Sequence, residues 1–191
     1  MPMNLMHRKL CSSEKWAAAV AEKLPEWLAR FDLGDDVLEI GPGFGATTRV
    51  LLEAVPRLTV LEIDPASTRL LQQKFGERAD VVEGSGAEMP FESGRFSAVV
   101  CFTMLHHVPT IALQDAIFSE AARVLRPGGS YAGVDSQLSF GFRLLHLGDT
   151  MNVLDAAALP ARLGTAGFEQ VDVRHQPKKQ VEFSGVKPSA G

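Results

Sequence analysis

Apolar residues in this chain come in short blocks separated by polar, glycine- or proline-containing breaks. Val37, Leu38 and Ile40 suit a strand buried on both faces. Arg57 to Ile63 reads as a second apolar strand, Asp80 to Glu83 as a short third, Phe96 to Phe102 as an almost wholly apolar fourth and Ser130 to Val134 as a fifth. Between them, helical patterns run from Ala46 to Val55, from Asp64-Pro65 to about Phe75, and from Thr110 to Leu125, the last stopped by Pro127-Gly128-Gly129. Alternation at this rhythm predicts a parallel sheet with helices on both faces.

The two ends differ from this rhythm. Ser12 or Ser13 can cap a helix from Lys15 to Arg30, whose Trp16, Val20, Leu24, Trp27 and Leu28 form one apolar face. Pro25 is expected to interrupt it. Packing against the sheet is its expected role, with a lid over the ligand site as the alternative. After strand five, Leu154 to Ala166 reads as a helix, and Phe168 to Arg174 and Val181 to Val186 as two strands joined by a short turn at Gln176-Pro177, hence antiparallel. The chain divides into an N-terminal helical segment, 1–33, a sheet domain, 34–186, and a mobile polar tail, 187–191.

Composition narrows the class. The 191 residues suffice for one domain with a full core, and 46% hydrophobic with 22% charged residues is ordinary for a soluble globular protein. The net charge of −4 and the lack of a long Lys/Arg run argue against a nucleic-acid partner. Neither an 18-residue apolar run nor a signal peptide is visible, so a cytoplasmic protein without a membrane span is expected. Cys11 and Cys101 form neither a disulfide framework nor a metal site.

Candidate chemistry gathers at the carboxyl ends of the strands, where open parallel sheets bind ligands. Gly41, Gly43 and Gly45 follow strand one, where backbone must turn tightly and a ligand come close. Gly41-x-Gly43-x-x-Ala46 also satisfies a relaxed dinucleotide fingerprint, so the glycines alone leave the ligand open. Glu62, about 20 residues further on at the end of strand two, can accept hydrogen bonds from both hydroxyls of a ribose, whereas Asp64 fits a helix cap. Ser85, Gly86 and Ala87 after strand three leave room for a flat ring. Phe102-Thr103 end strand four, followed by His106 and His107. Either histidine is a candidate general base. No metal is expected there, because neighbouring residues seldom chelate together and no third ligand lies nearby in sequence.

Val37-Leu38-Glu39-Ile40-Gly41-Pro42-Gly43-Phe44-Gly45, Leu61-Glu62-Ile63-Asp64, Met89-Pro90-Phe91 with Arg95-Phe96, His106-His107-Val108 and Ala122-Arg123-Val124-Leu125-Arg126-Pro127-Gly128-Gly129 occur in this order. So do Leu159-Pro160-Ala161-Arg162-Leu163 and Ala166-Gly167-Phe168. Over residues 36 to about 175 the chain resembles a class I S-adenosylmethionine-dependent methyltransferase of the type 11 subgroup, which is similar to the ubiquinone/menaquinone C-methyltransferases. The resemblance implies an α/β, Rossmann-like three-layer sandwich, a mostly parallel seven-stranded sheet with an antiparallel last strand. It implies S-adenosylmethionine as cofactor, with Glu39 near the methionyl amine, Glu62 on the ribose, and Gly41, Gly43, Gly45, Ile63, Ser85, Gly86, Ala87, Phe102 and Thr103 around the rest. By position Ser85 and Ser97 replace the family's usual aspartates. The acceptor is expected to be a small molecule, its pocket built from Met1 to about Arg30 and from Gln137 to Val153, where Phe140, Phe142, Leu144, Leu145, Leu147 and Met151 stand among few charges or instead form a short core helix. A domain that keeps the fold without activity, and a nicotinamide-dependent oxidoreductase, are the competing readings.

Overall fold

The computed structural model describes residues 4–189. Its centre is a seven-stranded sheet in the order β3-β2-β1-β4-β5-β7-β6. The strands are β1 Val37–Ile40, β2 Leu58–Glu62, β3 Asp80–Glu83, β4 Phe96–Phe102, β5 Leu125–Ser136, β6 Glu169–Gln176 and β7 Gln180–Val186. The first five pair in parallel; β7 runs antiparallel to both β5 and β6. The predicted architecture, including an antiparallel last strand, is therefore the observed one.

Alternation along the central strands distributes side chains to two cores. Leu38, Ile40, Val99, Cys101 and Tyr131 face α5 (Ile111–Val124) and α7 (Leu159–Thr165), where Phe118, Ala121, Leu159 and Leu163 are buried. Val37, Val60, Ala98, Val100 and Ala132 face the other side, which carries α2 (Glu14–Leu28) and α3 (Ala46–Ala54). Helix α4 (Pro65–Phe75) adds Phe75 to that second core. Because β1 has β2 on one side and β4 on the other, the direction of winding reverses at β1, and a crevice opens at the carboxyl ends of β1 and β4.

Four expectations are corrected. Pro25 does not break α2: the helix continues to Leu28, and the Ala29 N–H donates to the Pro25 carbonyl at 3.0 Å. The buried Leu24, Trp27 and Leu28, with Trp27 and Arg30 both donating to Glu182 of β7, hold the helix against the lost bond. An interior proline costs about 3 kcal/mol, partly offset by a stiffer unfolded chain. Pro25→Ala is therefore expected to stabilise the protein by about 1–2 kcal/mol, read as a higher denaturation midpoint; an unchanged midpoint would mean that the helix already bends to relieve the proline.

Strand β5 begins at Leu125, not Ser130. Pro127-Gly128-Gly129 is a bulge inside it, with the ladder shifting between the Phe96 and Ala98 pairs. Helix α7 begins at Leu159, not Leu154, because Pro160 is tolerated only in a first turn. The tail is tied down at its start: Lys187 exchanges backbone hydrogen bonds with Gly128 and Gly129, and its Nζ donates to the Leu125 carbonyl at 2.7 Å. Residues 1–3, 190 and 191, part of the expected N-terminal segment and tail, lie outside the described residues.

Two of the quoted motifs are structural. Arg123 on α5 donates to the carbonyls of Met89 and Phe91, and Glu120 accepts from the Met89 N–H at 2.7 Å. Arg123 beside Glu120 holds that carboxyl below its ordinary value. Together they clamp the loop after β3 onto α5. Arg123→Ala is expected to cost about 2 kcal/mol of stability through loss of charged hydrogen bonds, checked by chemical denaturation. Ser97 has an equally local duty: its Oγ donates toward the Leu33 and Asp36 carbonyls and accepts from the Asp36 N–H at 2.9 Å. Its place where an aspartate was expected thus concerns the turn before β1.

Candidate active site

The crevice is a cleft of about 1000 Å³. Gly41, Pro42, Gly43 and Phe44 form its floor after β1; Glu62 and Ile63 line it after β2, Phe102 and Thr103 after β4, and Ser136 after β5. The glycines of the turn serve different ends. Gly43 has φ +57°, and a Cβ there would meet nothing within 4 Å, so its Cβ side is open space at the cleft wall. Gly45, at φ +82°, is a packing residue instead: a Cβ would stand 2.4 Å from the Phe75 ring.

Glu62 is 6% exposed and its two carboxylate oxygens accept from the Gly43 N–H at 3.0 Å and the Asp64 N–H at 2.9 Å. It braces the turn and keeps lone pairs for a ligand. Asp64 caps α4 through the Ser67 N–H at 2.8 Å, as expected, and that bond holds its carboxyl below the ordinary value. Glu39 is fully buried and does not reach the cleft wall. It accepts from Thr48 at 2.6 Å and from Thr47, and Thr47 itself lines the cleft. Burial pushes Glu39 up to about 7 against the two threonine hydrogen bonds, with the Glu62 charge adding to the rise.

Ser85, Gly86 and Ala87 stand outside the cleft wall. Ser85 Oγ accepts from the Ala87 N–H at 3.1 Å, and a Cβ on Gly86 would crowd Ile40 at 3.1 Å. Thr103, by contrast, is at the wall with φ +49°, a left-handed conformation that a β-branched residue adopts only under strain.

The roof comes from both chain regions predicted to build a pocket. Helix α1 (Leu5–Cys11) contributes His7, Arg8, Leu10 and Cys11, and Trp16 of α2 joins them. Thus the first segment divides: α2 packs against the sheet and α1 covers the cleft. Helix α6 (Phe140–Leu145) and the loop behind it contribute Phe142, Leu145, His146 and Thr150. Phe140 is 86% exposed, Leu144 is 55% exposed and no described residue of α6 is buried, so this short helix is not part of the core. Asn4 joins the two pieces: its N–H donates to Asp149 at 2.6 Å and its side-chain amide to the Leu145 carbonyl at 2.7 Å.

Under this roof four histidines meet. His106 and His107 lie in a 3-10 turn, Leu105–His107, after β4. The folded chain adds His7 and His146, which corrects the premise that no third ligand lies nearby: His7, His107 and His146 offer ring nitrogens within 4.8 Å of one another. His106 Nδ1 pairs with Asp135 at 2.5 Å, and its Nε2 is 3.2 Å from that of His146. Burial, reinforced by the neighbouring imidazoles, pushes His107 down to about 3, so it is neutral at pH 7. Burial pushes the Cys11 thiol up to about 11, which leaves it protonated and inert. Sequence reasoning missed His146, Asp149 and Asp135. Asp135 had a usable signal, an acidic residue near the end of a parallel strand.

A family model described as methyltransferase domain matches residues 38–133, half of the chain. A probable S-adenosylmethionine-dependent methyltransferase of Mycolicibacterium smegmatis is 31% identical over 152 residues, 76% of this chain and 56% of that protein. The ribosomal RNA small subunit methyltransferase A of Cupriavidus taiwanensis is 41% identical over only 59 residues, 31% of this chain and 21% of that one. The chain therefore spans about half or less of the length of these curated relatives. The crystal structure of a protein from Pyrococcus horikoshii superposes with a TM-score of 0.77 at 14% identity over 93% of each chain, which shows the shared fold. The chain belongs to the class I S-adenosylmethionine-dependent methyltransferases. The cofactor of that family is S-adenosylmethionine, and the open side of Gly43 beside the Glu62 carboxylate fits it. No described helix is long and apolar enough to cross a membrane.

Proposed function

We propose that the protein transfers the methyl group of S-adenosylmethionine to a small-molecule acceptor. The supporting observation is the composition of the cleft wall: the glycine turn and Glu62 share it with residues of α1 and α6 and with the histidines. Such a space suits a cofactor and a compact acceptor better than a macromolecule. The net charge of −4 also disfavours RNA.

The cofactor supplies an activated methyl carbon and a good leaving group. What remains for the chain is alignment and, for an acceptor with a proton to lose, its removal. In this reading Glu62 holds the ribose, and the Gly41 to Phe44 backbone lies against the methionine moiety. Glu39 acts through Thr47, which carries its charge to the wall as a hydrogen bond. Gly45, Ser85, Gly86 and Ala87 shape the turns behind the adenosine, while Ile63, Phe102 and Thr103 form walls. Met104, Phe142 and Leu145 supply apolar surface at the acceptor end, and His106, oriented by Asp135, takes the acceptor's proton, while His107, whose basicity burial lowers, lines the pocket.

Calorimetric titration with S-adenosylmethionine, S-adenosylhomocysteine and NADH in parallel tests the cofactor part. Binding of the first two without the third is expected. Labelled methyl transfer to small hydroxyl, thiol or amine acceptors tests the rest, and turnover of RNA alone would overturn the acceptor class.

A further inference from the structure

His7, His107 and His146 come from three separate pieces of chain: α1, the turn after β4, and the loop after α6. Their side chains, with that of His106, are packed ring against ring: the centroids of His7 and His146 are 4.2 Å apart and those of His106 and His107 are 4.1 Å apart. His7, His106 and His146 are each under 5% exposed. Three buried imidazoles and a half-buried fourth add no apolar contact that phenylalanine or leucine would not add, and each brings polar nitrogens that need partners.

The partners they have are acceptors. His7 Nδ1 meets the Asp149 carboxylate at 2.9 Å, His146 Nδ1 meets the Phe142 carbonyl at 2.8 Å, and His106 Nδ1 meets the Asp135 carboxylate. A carboxylate and a carbonyl can only accept, so the hydrogen-bond network assigns the ring proton to Nδ1 in all three. In the neutral ring each Nε2 then keeps a lone pair. Those of His106 and His146 face each other at 3.2 Å, so His106 packs against the cluster without belonging to the trio whose nitrogens converge. Nitrogens bound to one tetrahedral ion at about 2.0–2.1 Å stand roughly 3.3–3.4 Å apart, and those of His7, His107 and His146 lie within 4.8 Å of one another, close enough for small side-chain rotations to bring them onto one ion. Metal-bound histidines also characteristically donate their other ring nitrogen to a carboxylate or carbonyl, which is the pattern found here. Asp149 and Asp135 supply negative charge beside the site.

We propose that His7, His107 and His146 form a binding site for a divalent transition-metal ion of the zinc class, at the acceptor end of the cleft. Three imidazoles without a thiolate or a ligating carboxylate favour zinc, cobalt, nickel or copper over magnesium or calcium. With three protein ligands the fourth position is open. On the methyltransferase reading, from which this second part follows, an acceptor bearing a hydroxyl or thiol completes the coordination, held beside the methyl group with its pKa lowered. Asp149 is a positioning residue: it orients His7 and, through Asn4, fastens α1 to the loop after α6.

The test uses the full chain stripped with a chelator. Zinc titrated by calorimetry is expected to bind one ion per chain, and cobalt to give the visible absorption of a low-coordinate imidazole site. His107→Ala and His146→Ala are expected to weaken zinc binding by about 100-fold or more, and Asp149→Asn by about 10–100-fold. Circular dichroism checks that each variant folds, and the cobalt spectrum of the unaltered protein requires no variant at all. S-adenosylhomocysteine is titrated into the same wild-type sample. Metal binding without cofactor binding would uphold this site while overturning the methyltransferase reading. Cofactor binding without stoichiometric zinc, or zinc affinity unchanged in the three variants, would overturn the site and leave a proton shared between His106 and His146.

Discussion

Glu62→Ala is expected to weaken S-adenosylmethionine binding by about 1–3 kcal/mol, roughly 5- to 150-fold in Kd. The carboxylate has two duties at the same place. It accepts from Gly43 and Asp64, which sets the turn, and its remaining lone pairs face the cleft where a ribose would donate. Alanine removes both, leaving two backbone N–H groups without their acceptor. Glu62→Gln separates the duties, since one oxygen still accepts while the other position becomes a donor. It should fall between alanine and the native residue. The readout is calorimetric titration at fixed pH. A Kd unchanged in both variants would mean that the ribose lies elsewhere.

The second large effect is a pH dependence of stability centred on Glu39. Its ordinary value is 4.5 and burial raises it to about 7 in the folded protein. Below about 4.5 the residue is protonated in both states and contributes no pH dependence. Between 4.5 and 7 the folded protein retains a proton that the unfolded chain has lost, so stability falls as pH rises, with a slope of about 1.4 kcal/mol per unit. Above 7 both states are ionised, and the full penalty, roughly 3 kcal/mol, persists. Glu39→Gln cannot ionise. Its stability relative to the native protein is expected to climb between pH 4.5 and 7 and then level off. Urea denaturation of the cofactor-free protein at several pH values measures this difference, and a flat difference would mean that Glu39 titrates alike in the folded and unfolded chain. In the proposed function the same substitution lowers cofactor affinity, because Thr47 would no longer lie against a charge. A group that costs stability when empty and serves binding when full is the usual compromise at a functional site.

The elements most readable in the sequence were those governed by local rules. The boundaries of β3 and β4 were as expected, and Asp64-Pro65 started α4 where cap chemistry requires. The mistakes came where distant contacts override local preference. Pro25 sits within a helix because Glu182, far along the chain, holds that helix down. Gly128 and Gly129 form a bulge that strand β5 keeps because Lys187 exchanges backbone hydrogen bonds with them. Ser97 was compared with a family aspartate, yet its hydroxyl works in the turn before β1.

The sequence by itself determined the alternating fold, the cofactor class and the position of the glycine turn with Glu62. The fold and the turn each depend on a short stretch whose periodicity or backbone geometry is set by its own residues, whereas the cofactor class came from the resemblance of the ordered motifs to a family, since the glycines alone left the ligand open. Only the tertiary structure decided how the cleft is roofed and what lies beneath the roof. His7, His107 and His146 are separated by long stretches of unrelated chain and carry no shared periodicity. They become neighbours because β1 and β4 lie side by side at the switch point, and because Asn4 and Asp149 bind the two ends of the roof together.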